Sequence, residues 1–360
     1  ESVSPVSSQV LFNGAASADG SYVWELQPGE NKMVIRADNG SAESVEYTLT
    51  ITQTASVTLT VQTNPQDASF ALYQGSKNET RIWPEEDGTF RLFPDTEYNY
   101  TVARSDYVGQ SGSLTLSASE TRSFTLEKAP EAEELPQLDA DYPGFRSGLD
   151  NMSVVNSKTP ISKETIEVVW ERQMGDYVSP TSGTTPIVVD DKIYGLTGTT
   201  LYMLDKETGE TIRTATTVSA SAFNLVPPTY ADGMLFVLLS GGQVQCFNAS
   251  TLESMWVYTD PQGGRCESSV RYDDGYIYVG FFASTTVGGF ACISVTDEDP
   301  SSQTEEKVPI WRNSSLSSYY WDGAWSNENY VFVITNGGTL CCIDKKTGDA
   351  VQTVATGQTS

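Results

Sequence analysis

The chain contains no histidine. That absence removes the commonest general base and the commonest imidazole metal ligand. Ser-His-Asp and Cys-His catalysis are excluded, and so are His-ligated zinc sites. Positive charge is also scarce. Lys and Arg number 21 against 47 Asp and Glu, a net charge of −26, so the field of the chain repels phosphate. Nucleic acid and anionic lipid are therefore poor partners. No apolar run approaches the roughly 18 residues of a spanning helix, so no membrane insertion is expected. The five cysteines are Cys246, Cys266, Cys292, Cys341 and Cys342, all in the C-terminal half. An odd count without regular spacing argues against a disulfide-built fold. Three of them fall at equivalent repeat positions and read as small buried hydrophobes. The first residue is Glu1, not Met, which leaves two readings: a removed signal peptide, or a cut from a longer protein.

What the sequence does contain is a repeat. Pro186 to Asp190 leads into Ile193-Tyr194, Gly198 and Leu201 to Asp205, with Thr208-Gly209 following. The same order returns from Pro228 through Asp232, Phe236 and Gly242 to Val244–Asn248. It returns again around Val270, Asp273-Asp274, Tyr278 and Phe290–Ile293, and last from Trp325 through Glu328, Phe332 and Gly338 to Leu340–Asp344 and Thr347-Gly348. The offset between copies is about 42 residues, the length of a four-stranded propeller blade. About four blades' worth of sequence is present. Two explanations for so low a number are a fragment of a larger ring and two half-rings joining in a dimer.

The N-terminal third alternates like strand. Lys32 to Arg36, then Val45, Tyr47, Leu49 and Ile51 on one face, are separated by Gly- and Pro-containing turns. Val57 to Val61, Ser69 to Tyr73, Tyr98 to Val102, Ser111 to Leu116 and Ser123 to Leu126 form a second set. These divide as residues 1–53 and 54–128. Residues 129–140, rich in Glu and Pro, read as an extended acidic linker that packs little. Residues 141–360 hold the blades.

Three resemblances accompany this reading. Phe12-Asn13-Gly14, Leu26 to Asn31 and Tyr47 to Ile51 resemble the second half of bacterial cadherin-like β-sandwich modules. Pro65, Ala68, the Pro94, Tyr98, Tyr100, Val102 series and Tyr107 resemble PEGA-type surface modules, with Asp106 where that family usually has Gly. Tyr142-Pro143-Gly144-Phe145-Arg146, Asn151, Val154, Pro160, Trp170 and Gly175 resemble the lead-in of quinoprotein-like propellers, with Tyr142 replacing the usual Trp. Leu201–Gly209 and Leu340–Gly348 match that family's blade motif, and Trp256 and Trp311 supply its Trp step. Arg213 and Gln352 depart from it. The resemblance implies an all-β chain: two small β-sandwich modules followed by a small or partial quinoprotein-like propeller.

The adjacent pair Cys341-Cys342 could suggest the vicinal disulfide that quinoprotein alcohol dehydrogenases set against their quinone. It lies in a strand pattern, in register with Leu201–Leu204, and reads as structural. Asp190-Asp191 and Asp273-Asp274 both fall at one repeated hairpin turn, which turn chemistry explains. No catalytic residue, metal site or cofactor is therefore assigned. The connections that lead into each blade carry the candidate ligand-binding residues on the propeller rim. These are Tyr177, Phe223, Asn224, Arg265, Glu267, Tyr319, Tyr320, Trp321 and Trp325. Aromatic faces there suit stacking, and the charged pair suits hydrogen bonding. Tyr319, Tyr320 and Trp321 are expected to be partly exposed beside Arg265 and Glu267. The expected function is non-enzymatic: a binding or scaffold protein of a bacterial cell surface, with a glycan, peptide or protein partner. The alternatives are a quinone- and calcium-dependent dehydrogenase and a protein-only assembly scaffold.

Overall fold

In a computed structural model of the chain, residues 9–13, 15–16, 24, 29–38, 45–53, 55–147, 153–155, 162–174, 183–221, 226–320 and 323–357 are described. Strand accounts for 49% of the described residues, about twice the usual share, and the only helical pieces are two single 3₁₀ turns. The chain divides into two compact units. One comprises residues 1–60, 85–96 and 115–120; the other comprises 61–84, 97–114 and 121–360.

In the first unit, β1 (Gln9–Phe12), β2 (Ala15–Ala16), β3 (Gly29–Asp38) and β4 (Val45–Gln53) form an antiparallel sheet in the order β2-β1-β3-β4. Met33 is buried, whereas Tyr47 and Leu49, on the apolar face of β4, are exposed. Strand β5 (Val57–Asn64) begins in this unit and continues into the second.

In the second unit, β6 (Ser69–Gln74) and β7 (Thr80–Ile82) pair as a hairpin. The short β8 (Phe90–Leu92) belongs to the first unit and pairs with the start of β5. β9 (Glu97–Ala103) and β10 (Gln110–Thr115) complete the sheet order β10-β9-β6-β7, and β11 (Glu120–Thr125) lies beside β5. The rings of Phe70, Tyr100 and Phe124 meet with centroids 4.9–6.2 Å apart and fill the space between β6, β9 and β11.

Four antiparallel sheets follow in sequence order, one for each repeat. Blade one is β12 (Ile187–Val189), β13 (Lys192–Thr197), β14 (Thr200–Asp205) and β15 (Thr211–Thr216). Blade two is β16 (Thr229–Ala231), β17 (Met234–Leu239), β18 (Gln243–Asn248) and β19 (Ser254–Thr259). Blade three starts with β20 (Arg271–Asp273), β21 (Tyr276–Phe282) and β22 (Gly288–Ser294). An insertion then carries β23 (Glu305–Glu306), which pairs in parallel with β19, before β24 (Trp311–Asn313) closes blade three. Blade four is β25 (Trp325–Ser326), β26 (Tyr330–Ile334), β27 (Thr339–Asp344) and β28 (Ala350–Ala355). The middle strands are apolar on both faces because each blade packs against two neighbours. Every residue of β17 and of β22 is buried.

The repeated motif has a local cause and a long-range one. The Asp205 carboxylate accepts the Glu207 and Thr208 amides at 3.0 and 2.8 Å, and Asp344 accepts those of Lys346 and Thr347 at 2.8 and 2.9 Å. This folds the turn after each third strand. The Gly that ends the turn has φ +71° at Gly209 and +74° at Gly348. It also has an indole lying on it: a Cβ would come within 2.5 Å of the Trp170 ring at Gly209 and within 2.4 Å of Trp311 at Gly348. Each indole N–H donates to the backbone of the same turn. The acceptors are Lys206 O for Trp170 (3.0 Å), Val295 O for Trp256 (3.2 Å) and Lys345 O for Trp311 (2.7 Å). The Trp step therefore docks one outer strand onto the turn of the following blade.

The departure at Arg213 fits the same rule. Blade one has no Trp to dock on blade two, and there the turn Gly is replaced by Leu252, at φ +55°. The equivalent carbonyl, Ala249 O, instead accepts the Tyr194 hydroxyl at 2.9 Å. Three cores lie between successive blades. Tyr194, Leu201 and Met203 face blade two; Phe236, Val244 and Cys246 face blade three; Tyr278, Phe290 and Cys292 face blade four. The matching residues of blade four are Phe332, Leu340 and Cys342, which stand half-buried or exposed.

The acidic stretch 129–140 departs from its expected looseness. Its Glu residues are exposed, but Leu135 packs against the core between blades two and three and Leu138 against that between blades one and two. The Leu138 amide donates to the Tyr230 hydroxyl at 2.8 Å and Gln137 to Asp232 at 2.9 Å. Two leucines spaced along a strap are enough to pin it, because each fills a seam between sheets. The cysteines behave as read: all are free thiols, four are buried, and Cys341-Cys342 lies within β27.

Candidate functional site

Each blade is entered by a segment that bridges the far end of its second strand. Gly183 pairs with Thr197, Ser221 with Leu239 and Arg265 with Phe282. In blade three the bridge is two-sided: the Arg265 amide donates to Phe282 O at 2.8 Å and the Phe282 amide to Arg265 O at 2.9 Å. The lead-in of blade four reaches the same end, where the Tyr319 amide donates to Phe281 O at 3.2 Å and the Asn336 amide to Ser318 O at 2.7 Å. The four lead-ins thus converge on one rim, opposite the Asp-Thr-Gly turns.

On that rim a cleft of about 520 Å³ opens between blades three and four, lined by Gly264, Arg265, Phe282, Ala283, Thr285, Tyr320 and Asn336. Gly264 is required there. Its φ is +90°, and a Cβ would stand 2.3 Å from Phe282 O. Two of the nine sequence-assigned rim residues, Arg265 and Tyr320, line the cleft. The Arg265 side chain is 54% exposed, and its Nη1 donates to Glu267 Oε1 at 3.3 Å. Glu267 is fully buried, and its other oxygen, Oε2, has no hydrogen-bond partner. Burial pushes the Glu267 carboxyl above the usual carboxylate range, with Arg265 opposing the shift. Tyr320 is half-buried and packs on Phe282, with ring centroids 4.7 Å apart.

Tyr319 corrects the sequence reading. It is fully buried, its ring against Phe290 at 5.1 Å, in the core between blades three and four. Gly280 makes the room, since a Cβ there would fall 2.4 Å from Tyr319 Cβ. The lead-in therefore turns Tyr319 into the core and leaves Tyr320 at the cleft. Glu267 is likewise beneath the rim rather than on it. Trp325 is 47% exposed but lies in β25 against Phe332, not in the cleft. Tyr177, Phe223, Asn224 and Trp321 lie outside the described residues. Sequence reasoning missed Gly264, Phe282, Ala283, Thr285 and Asn336. The Gly263-Gly264 pair was the available signal, because adjacent glycines mark close backbone approach.

The arrangement can hold a polar group at Arg265 and a flat or apolar group at Tyr320 and Phe282. Burial raises the Cys246, Cys266 and Cys292 thiols, and raises Cys341 to about 11, so these side chains stay protonated at neutral pH. Among the described residues no three Cys, Asp or Glu side chains converge on a metal-sized site, and no helix is long and apolar enough to cross a membrane.

A protein-family model of the PQQ type, described as outer membrane protein assembly factor BamB, matches residues 159–291. That span runs through blades one and two and into the third strand of blade three. Among solved structures, the chain is similar to BamB from Moraxella catarrhalis, at 14% identity over 92% of this chain and 87% of that one, with a TM-score of 0.40. It is also similar to the quinohemoprotein alcohol dehydrogenase ADHIIG from Pseudomonas putida HK5, at 14% identity over 48% of this chain, with a TM-score of 0.39. A europium-containing methanol dehydrogenase matches at 12% identity over 48% of this chain and 41% of its own, with a TM-score of 0.37. This chain spans about a third of the ADHIIG length. No curated protein matches the sequence.

Proposed function

We propose that the chain is a non-enzymatic binding or scaffold protein of a bacterial cell envelope that takes a peptide segment of a partner protein in the rim cleft. The observation that carries this is the cleft itself. A half-exposed guanidinium is tethered by a fully buried carboxylate, beside an aromatic pair and a glycine that admits a backbone. Such a site offers a fixed hydrogen-bond donor and a stacking surface, the usual ingredients of a binding hot spot. The family match to an outer membrane assembly factor supports an envelope location and a protein partner over a glycan. In this reading the N-terminal β units are spacers similar to cadherin-like and PEGA-type surface modules.

Parallel peptide and glycan arrays test it. Wild type should select peptides, and Arg265→Ala and Tyr320→Ala should each weaken that binding about fivefold or more. Glycan-only binding, or peptide binding indifferent to both substitutions, contradicts the reading. Quinone- and calcium-dependent alcohol oxidation by the reconstituted chain would favour the dehydrogenase alternative.

A second observation points to a further contact surface, which either a following blade or a second copy of the chain would cover. Phe332, Leu340 and Cys342 occupy the positions that seat the following blade in the other three sheets, and Trp325 lies on Phe332 at 5.6 Å. A second copy completing the ring would cover that face. Light scattering should then give twice the chain mass, falling to one chain in Trp325→Glu. A monomer at high concentration sinks this reading without touching the rim cleft.

A further inference from the structure

A different part of the second unit holds a positive charge that the propeller does not use. Arg81 lies in β7, the edge strand of the sheet β10-β9-β6-β7. Only 6% of the residue is exposed. Its guanidinium lies 4.0 Å over the ring of Trp83, just past the end of that strand. One hydrogen bond holds it, from Nη1 to Arg312 O at 3.4 Å, and Nε has no partner. Among the described residues no carboxylate ion-pairs with it. Asp67 is bound to Arg104 at 2.8 Å; Asp349, on the turn after β27, attracts Arg81 electrostatically but is exposed and makes no bond to it. A buried charge with no bonded counter-charge is unusual, because desolvation is offset chiefly by a paired, hydrogen-bonded partner of opposite sign. Burial pushes Arg81 below the usual guanidinium range.

Arg81 does not lie in sealed core. It forms a wall of a cleft of about 420 Å³, with Trp83, Phe70 and Ser69 on one side and Lys346 and Thr347 of blade four on the other. The cleft holds two cations against Asp67 and Asp349, of which Asp67 is already neutralised. Strand β7 pairs with β6 alone, so its outer edge has no strand beside it among the described residues. Such an edge offers backbone donors and acceptors to an extended chain, which a sugar cannot match.

We propose that this cleft is a second binding site, for an extended acidic peptide whose carboxylate pairs with Arg81. The peptide carboxylate supplies the bonded counter-charge that Arg81 lacks, in the fork geometry guanidinium favours. Its backbone lies along β7, and its side-chain stem rests on Trp83. Lys346 adds attraction from the blade-four side. The proposal is independent of the rim cleft, about which a negative result here says nothing.

The test follows the Trp83 indole N–H in the ¹⁵N–¹H spectrum of the whole chain, assigned by its loss in Trp83→Phe. The probe is an acetylated, amidated triglutamate peptide, with the triglutamine peptide, sodium chloride at matched ionic strength and glucuronate as comparisons. The triglutamate should shift the peak saturably. Triglutamine and chloride should not, and Arg81→Met should weaken the binding about tenfold or more. Equal shifts from triglutamate and triglutamine overturn the proposal, as does triglutamate binding that survives in a folded Arg81→Met chain. Saturation by glucuronate but not by triglutamate overturns the peptide assignment. If Arg81→Met does not fold, the selectivity of the wild-type chain for triglutamate over triglutamine decides the question.

Discussion

Gly348→Ala tests the coupling between blades most sharply. Three costs add at this position. The backbone is at φ +74°, where an L side chain costs about 1–2 kcal/mol. The new Cβ would also fall 2.4 Å from Trp311 Cδ2. Trp311 cannot retreat: it is fully buried and flanked by Tyr278 and Phe290, with ring centroids 6.0 and 6.3 Å away. Overpacking of this kind costs about 1–3 kcal/mol. Moving the indole also strains its 2.7 Å bond to Lys345 O, worth about 1 kcal/mol. The expected loss is therefore about 3–6 kcal/mol, summed from these three contributions. Gly357→Ala is the control, with φ +71° and nothing within 4 Å of its Cβ, so only the backbone cost of about 1–2 kcal/mol remains. Gly209→Ala should fall between the two, because the Trp170 ring it meets is half-buried and can yield. Urea midpoints of the three variants, with coincidence of fluorescence and circular dichroism as the two-state check, give the ranking. Equal costs at Gly348 and Gly357 would refute the docking argument.

Other perturbations have defined outcomes. Arg312 of β24 and Asp260 form a buried bidentate pair at 2.6 and 3.0 Å, so Asp260→Ala should cost about 3–5 kcal/mol by denaturant midpoint. A loss under 1 kcal/mol would show that water reaches the stranded guanidinium. Glu305 is pushed up to about 7, chiefly by burial. Its contribution to stability is full below the unfolded carboxyl value and is lost as pH rises through about 7. Glu305→Gln, which stays neutral, should therefore gain stability over wild type at pH 8 but not at pH 4. After allowance for solvent screening of a half-exposed group the gain is about 1 kcal/mol; a difference that does not change with pH contradicts the assignment. Replacing both Leu135 and Leu138 by Ser should release the 129–140 strap and speed its cleavage by a glutamyl endoprotease. An unchanged cleavage rate would mean that the leucines do not hold it.

The blades were legible because a propeller repeats one set of contacts, and each repeat writes the same residues at the same spacing. Asp205, Asn248 and Asp344 fold equivalent turns, so their recurrence could be read before any contact was known. The pairing of Trp with Gly was visible only as a motif; its reason, an indole lying on a Cα, is a contact between different sheets. Of the residues read as rim residues, Arg265 and Tyr320 line the cleft between blades three and four. The orientation of Tyr319 was not legible, because consecutive aromatics carry no period to say which one turns inward. Leu135 and Leu138 were hidden by the acidic residues around them. Arg81 gave no sequence signal, because its isolation is created by residues more than two hundred positions away, at Arg312 and on the turn after β27.

The central claim, that the rim cleft between blades three and four holds the partner, can be tested by site-specific photo-crosslinking. A photo-reactive amino acid would replace Thr285, which is exposed at the mouth of the cleft. A second chain would carry it at Glu207, on an exposed turn at the opposite rim. On extracts of the source cells, the account predicts a discrete protein adduct from position 285 that is lost when Arg265→Ala or Tyr320→Ala is added, and none from position 207. Equal adducts from both positions, or an adduct at 285 indifferent to both substitutions, would contradict it.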